Sequence, residues 1–181
     1  MQHFISNAER MYEYSGSKKE RNYMSQQLVN LLWKSIQEDG QVMVGLQGNE
    51  EHSEPMHAYL DENADDRLWL IMKKDNRVAG GGKSIVQYIG KDHKLFASIT
   101  GELAEERDQS MLDMFWSNAA EAWFDEGIDD PNLHFMRLDV KSIEIWNKNP
   151  TFTGVLKMST GSKVDPEDAG DHTLVEFKKR A

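Results

Sequence analysis

Lys73, Lys74, Asn76 and Arg77 bring three cations and an amide into one short stretch. Such a set can seat an anion. Each well-made hydrogen bond to a charged group is worth about 1.5–3 kcal/mol, and a phosphomonoester carries about −1.5 to −2 charges. The stretch opens a longer basic segment. Between Met72 and Lys94 the bases Lys73, Lys74, Arg77, Lys83, Lys91 and Lys94 face only the acids Asp75 and Asp92, six minus two giving a local +4. The same composition also suits a solvated sheet edge whose lysines discourage strand-to-strand association. At the level of sequence both readings stand.

A second set of residues is aromatic. Trp116 and Trp123 lie seven apart, about two helical turns, and would share a face if one helix covered both. Large aromatics at that spacing usually form core. Here Asn118, Glu121 and the acidic run Asp125 to Asp130 surround them, which also suits half-wet rings that stack on a flat ligand or a partner chain. Other chemistries find no support. Ala79 to Ser84 reads AGGGKS, but a phosphate-binding P-loop needs glycine at position 77, which is arginine, and a helix afterwards, where SIVQYI is strand-like. His3, His52, His57, His93, His134 and His172 show no metal-ligand spacing, and no serine stands in a GxSxG elbow.

The bulk numbers set the frame. The chain has 181 residues, 39% of them hydrophobic, which is enough for one folded domain with a real core. The formal net charge of −10 argues against nucleic acid and anionic membrane as partners. The chain has no cysteine, which removes disulfides and thiolate chemistry. No apolar run reaches the ~20 residues of a membrane span, and the first residues lack the apolar block of a signal peptide, so a cytoplasmic location is expected.

These residues must be positioned by regular elements. Ser17 to Glu20 has the form of a capping box, and Ser25 offers a later helix start. Leu28, Leu31, Leu32 and Ile36 then recur at amphipathic-helix spacing, up to Asp39-Gly40. Strands are predicted over 41–47, 54–60, 67–72, 84–89 and 95–100, the third buried on both faces, with the last two joined as a hairpin through residues 90–94. A helix is predicted from about Asp108, with Met111, Leu112, Phe115 and Trp116 on one side. Residues 134–146 read as one long strand or a bent pair. The tail from Asn147 reads as irregular and charged, with a short helix near 155–158. The organisation expected is an N-terminal helical extension (1–24), a main domain (25–160) and a charged C-terminal tail (161–181). Strands outnumber helices and the connections are hairpins, so the fold class is mainly β with flanking helices, a closed or half-open antiparallel barrel.

The run LFASITGEL, the series W-x6-W-F-x2-G-x-D-D-P from Trp116 to Pro131, and L-x-V-K-S-I-E-I-W from Leu138 to Trp146 resemble the general stress proteins related to pyridoxamine 5′-phosphate oxidase. The resemblance covers about residues 27–160. It implies a six-stranded antiparallel split β-barrel, a homodimer, and FMN in a groove at the dimer interface. It implies that Lys73, Lys74, Asn76 and Arg77 hold the phosphate. Met56, Ile71 and Met72 would line the ring or ribityl chain, and Trp116 or Trp123 would cover the flavin from the partner subunit. Where relatives carry R-P-M on the second strand, this chain reads Glu54-Pro55-Met56, and Met72 replaces a hydroxyl. The activity implied is that of an oxidoreductase of unspecified substrate, or of a stress-response protein that binds flavin without turnover. Authentic pyridoxamine 5′-phosphate oxidase activity is not expected, because the ending HTLVEFKKRA has no counterpart of that enzyme's C-terminal arginine–histidine segment.

Overall fold

The computed structural model describes residues 18–48, 50–64, 66–148, 159, 161–163 and 170–177. The Ser17 cap and the 155–158 helix lie outside them. Helix α1 (Lys18–Glu38) leads into strands β1 (Gln41–Leu46), β2 (Glu54–Tyr59), β3 (Arg67–Lys73), β4 (Gly82–Ile89) and β5 (Leu95–Glu105). Helices α2 (Gln109–Phe115) and α3 (Asn118–Glu121) and a 3-10 turn at Gly127–Asp129 follow. The long β6 (Leu133–Asn147) and β7 (Asp171–Glu176) complete the described chain.

The strand order is β3-β2-β1-β4-β5-β6-β7, and a β3–β6 ladder from Arg67↔Asp139 to Lys73↔Leu133 closes the first six strands into an antiparallel barrel. Period-two alternation fills its interior. Val42 and Val44, Leu68, Leu70 and Met72, Val86 and Tyr88, Ile99 and Leu103, and Leu138, Ile143 and Ile145 all point inward and are buried. Burying each such side chain stabilises by about 1.5–3 kcal/mol. One end of the barrel is covered by α1, whose Leu28, Val29, Leu32 and Ile36 join the same core. The Tyr88 hydroxyl donates to the Ser35 carbonyl at 2.9 Å and fixes the helix there. Leu31 falls outside this stripe and is exposed. Ser25 is not a helix start but lies within α1, its hydroxyl 2.7 Å from that of Thr173 on β7.

Two features depart from the expected plan. Strand β5 does not end near Gly101 but continues to Glu105, and Gly101 sits where its register with β6 shifts, Thr100 facing Ser142 and Gly101 facing Val140. Lys141 is thus the extra residue of a bulge, the device that bends and twists a strand. Beyond that bulge β6 leaves β3 and pairs instead with β7, from Ser142↔Glu176 to Asn147↔Asp171. Part of the tail expected to be irregular is therefore a strand. Its attachment is specific: His172 stacks on Trp146 with ring centroids 5.4 Å apart, and its Nε2 lies 2.9 Å from Glu144 Oε1. Among the described residues no helix is long and apolar enough to cross a membrane.

Candidate functional site

Strands β2 and β3 pair at Ala58↔Leu70 and Tyr59↔Trp69, then part toward Glu54 on one and Lys73 on the other. Ala58 N–H donates to the Gly40 carbonyl (2.8 Å) on the β1 side, so by alternation His57 N–H and the Pro55 nitrogen face the opening. Proline has no hydrogen to donate, and here it costs the sheet no ladder bond. The result is a gap with exposed strand backbone along one wall.

The β3–β4 turn forms its rim. Val78 is buried and anchors the turn in the core, and its N–H donates to Asn76 Oδ1 at 3.0 Å. That bond points the Asn76 amide nitrogen at Glu54, to whose Oε2 it donates at 2.7 Å. Arg77 Nε meets the other oxygen, Oε1, at 2.5 Å. Gly81 ends the turn with φ +66°, and a Cβ there would lie 2.6 Å from the Leu103 carbonyl oxygen, so the position requires glycine.

The candidate cations divide. Asn76 and Arg77 reach toward β2, whereas Lys74 Nζ donates to the Pro131 carbonyl and Lys74 N–H to that of Asn132. Lys73 is exposed and lies within the electrostatic reach of Asp130. Lys91 and Lys94 belong to the β4–β5 turn at the opposite end of the barrel, where Lys91 sits 3.8 Å from Asp39. About eight strand residues at ~3.3 Å each separate them from the β3–β4 turn. The +4 segment is therefore two groups, not one patch. The acidic run 125–130 acquires a structural role: Asp130 Oδ1 accepts from Asn132 N–H (2.8 Å) and Oδ2 from Glu126 N–H (3.3 Å). These bonds, that to Asn132 first, hold the Asp130 carboxyl below its ordinary range despite some burial.

The ring-lining candidates also separate by face. Met56 and Met72 point into the barrel and are buried, and by the same alternation their backbone groups face β1 and β6, so neither meets the gap. The backbone that faces it is that of Pro55 and His57 on β2 and of Ile71 and Lys73 on β3. Ile71 lies on the outer face against a second cluster made of Trp69, Leu112, Phe115 and Phe135. Tyr59 shares that face, 5.4 Å from Phe115 and 4.7 Å edge-on to His57. Burial raises the Tyr59 pKa and a hydrogen bond with Ser117 opposes it. Burial likewise lowers the His57 pKa, against the pull of Asp39, so the imidazole is neutral at pH 7.

Trp116 and Trp123 do not share a helix. α2 stops at Phe115, Trp116 caps it with ψ 132°, and Ser117 restarts the chain as the N-cap of α3, accepting from Ala120 N–H at 3.3 Å. Trp116 packs against Phe124 (5.8 Å) and is half-buried, while Trp123 is 73% exposed. A serine followed by a short apolar run is an N-cap signal, and it is the one feature of the sequence that marks this break.

Glu106 ties this outer layer to the barrel. Its Oε2 accepts from Arg137 Nη1 (2.8 Å) and from the Trp69 indole (3.3 Å). Its Oε1 accepts from the N–H groups of Arg107 (2.8 Å) and Asp108 (3.2 Å), at the entry to α2. Nothing in the sequence pattern singles Glu106 out, because its partners come from three different elements.

Two open clefts, of about 350 and 280 Å³, flank α1, and neither contains a candidate residue. Among the described residues no cluster of His, Asp and Glu could hold a metal ion. A flavin's flat ring suits the gap, with its bare backbone, Ile71 and Tyr59. For the phosphate the donor set fits in kind, but Glu54 already engages two of its four members. Lys73, Lys74 and Arg77 against Glu54 and Asp75 sum to three minus two, or +1.

The comparisons with known proteins agree with this architecture. The family model described as "Pyridoxamine 5'-phosphate oxidase like" matches residues 27–167. Among solved structures, the general stress FMN/FAD binding protein of Xanthomonas citri is 35% identical, with a TM-score of 0.64 over 70% of this chain and 93% of that one. A Jannaschia sp. CCS1 structure described as a general stress protein 26 is 24% identical, with a TM-score of 0.70 over 84% of this chain and 99% of its own. General Stress Protein 26 from Bacillus anthracis str. Sterne is 17% identical, with a TM-score of 0.57 over 66% of this chain and 94% of its own. The last two speak for the fold alone. No curated protein matches the chain significantly. A family match over most of the sequence, on a closed six-stranded barrel parted between β2 and β3, has one meaning: the chain belongs to the pyridoxamine 5′-phosphate oxidase like family.

Proposed function

We propose that the protein is a homodimeric flavoprotein that holds FMN in the β2–β3 gap, where a second copy covers the ring with Trp116 or Trp123. The observation that carries this reading is the 35% identity to the Xanthomonas citri FMN/FAD binding protein across 70% of the chain. The gap's geometry supports it. Strand backbone at Pro55, His57 and Ile71 lines the gap, with Asn76 and Arg77 at its rim and Lys73 at the end of β3, while Lys74 is turned to the Pro131 carbonyl. An indole 73% exposed, as Trp123 is, suits a ligand face or an interface. A bound flavin would supply hydride or electron chemistry, and the chain would position the ring and exclude water from it. The activity proposed is that of an oxidoreductase acting on an unidentified substrate.

One observation favours a second reading, a stress-response protein that binds flavin without turnover. The nine candidate residues include no histidine and no carboxylate, the groups most often used as general acid or base, so as a set they are equipped to hold and cover a ring.

The test is direct. The purified protein should show flavin absorption bands, or quench added FMN fluorescence, and should sediment as a dimer. A colourless monomer that leaves FMN fluorescence unchanged overturns the proposal. Bleaching of the bound flavin by NAD(P)H without oxygen supports the oxidoreductase, and a flavin that stays oxidised supports the binding protein. Replacing Lys73 and Arg77 together by alanine should weaken FMN about tenfold or more, the equivalent of losing one charged hydrogen bond. Riboflavin, which lacks the phosphate, should bind as before; equal losses for the two ligands would mean these cations are not the phosphate seat.

A further inference from the structure

Both oxygens of Glu54 are engaged, one by Arg77 Nε and the other by the Asn76 amide, and the side chain is mostly shielded. The holders are fixed from behind. Asn76 is oriented by its bond from Val78 N–H, and Val78 is buried in the barrel core. This is how an anion seat looks when it is filled: a carboxylate is gripped by a guanidinium and an amide on a rigid turn. Here the carboxylate belongs to the protein.

We propose that Glu54 is a resident anion in the seat at the rim of the β2–β3 gap, and that it makes the seat select ligands by the charge of their tail. The inference rests on reading that gap as the flavin site. A phosphate dianion gains Arg77 and Asn76 only by expelling Glu54 or by lying against it, and like charges at contact distance repel. An uncharged ribityl tail meets no such opposition. Glu54 thus narrows the advantage that FMN would otherwise hold over riboflavin, and the variant lacking its charge restores that advantage.

The variant is Glu54→Gln, which keeps the shape and an oxygen to accept from Asn76 while removing the charge. Flavin titrations followed by fluorescence should show FMN binding tightened at least tenfold and riboflavin changed by less than about twofold. Each factor of ten corresponds to 1.4 kcal/mol. Adding Arg77→Ala to Glu54→Gln should abolish the gain. An unchanged FMN affinity, or equal gains for FMN and riboflavin, overturns the inference while leaving the flavin reading intact.

Inorganic phosphate provides a readout independent of flavin. Amide shifts of Asn76 and Val78 should saturate at lower phosphate concentration in Glu54→Gln than in the wild type. If neither protein binds flavin but phosphate behaves in this way, the flavin reading falls and the resident anion stands. If phosphate binds neither form, or both alike, the resident anion is wrong. Should Glu54→Gln prove unstable, Glu54→Ala carries the same expectations, with a loss of affinity for phosphate overturning the proposal.

Discussion

Alanine at Gly101 should lower the free energy of unfolding by about 3 kcal/mol, the upper part of the range for overpacked sites. The added methyl would collide with the Asp139 carbonyl oxygen and stand 3.0 Å from both Cγ and Cδ1 of Leu138, which is wholly buried. Neither neighbour can yield cheaply. Asp139 is the last residue of β6 paired with β3, opposite Arg67, so moving its backbone loosens the ladder that closes the barrel. Leu138 faces Leu68 across the same ladder. The close approach exists because β5 and β6 change register at this point, and a residue without a side chain lets the backbones touch. Urea denaturation followed by circular dichroism gives the number directly. A change below 1 kcal/mol would mean that the two strands can separate there without cost.

The second large effect is expected at Glu106. Glu106→Ala leaves the Arg137 guanidinium, the Trp69 indole and the first N–H groups before α2 without their shared acceptor. Arg137 keeps Asp139, bonded through Nε at 2.9 Å, which moderates the loss. About 2–3 kcal/mol is expected, below the cost of stranding a fully buried charge. The pH dependence has a definite sign. Burial pushes the Glu106 carboxyl up, but hydrogen bonds from Arg137, the Asp108 and Arg107 backbone and Trp69 outweigh it and hold it below its ordinary 4.5. A depressed folded value stabilises above 4.5 and loses that contribution as pH falls through the folded value. The difference between wild type and Glu106→Ala should therefore be constant from neutral pH down to about 5, then close in acid. Indole emission should also shift at pH 7, since Trp69 loses its acceptor; unchanged emission would place the indole bond outside the network.

Much of the barrel is legible in the sequence because period-two alternation and turn residues are local signals. Arg67 to Met72 reads as buried on both faces, and in the fold Leu68, Leu70 and Met72 fill the barrel while Trp69 lies in the second cluster beside Leu112 and Phe115. The signals fail where distant partners decide. The condition that one helix cover Trp116 and Trp123 is not met, because the chain breaks at Ser117, whose hydroxyl caps a new turn by accepting from Ala120 N–H. β7 hides in a segment rich in charge, because its worth lies in the edge that β6 offers it. The division of the basic segment is invisible for the same reason: eight residues of β4 carry Lys91 to the far end. The carboxylate at Glu54 stands out on sequence alone, but its grip by Asn76 and Arg77 needs two strands and a turn to be in place.

The bulge at Lys141 gives β6 two successive neighbours on one side, β3 below it and β7 above. A strand that swings away from its partner normally leaves bare amide and carbonyl groups, and another molecule can dock there and continue the sheet. In this chain residues 171–176 lie along that exposed stretch, and Phe177 N–H goes on to take the Lys141 carbonyl itself at 2.8 Å. Residues 171–177 thus take up the backbone groups that β6 turns away from β3. Deleting residues 171–177 should leave the barrel closed, since the β3–β6 ladder does not involve them, with a far-ultraviolet spectrum that stays that of a β protein; loss of that spectrum would mean the strand is needed to close the fold.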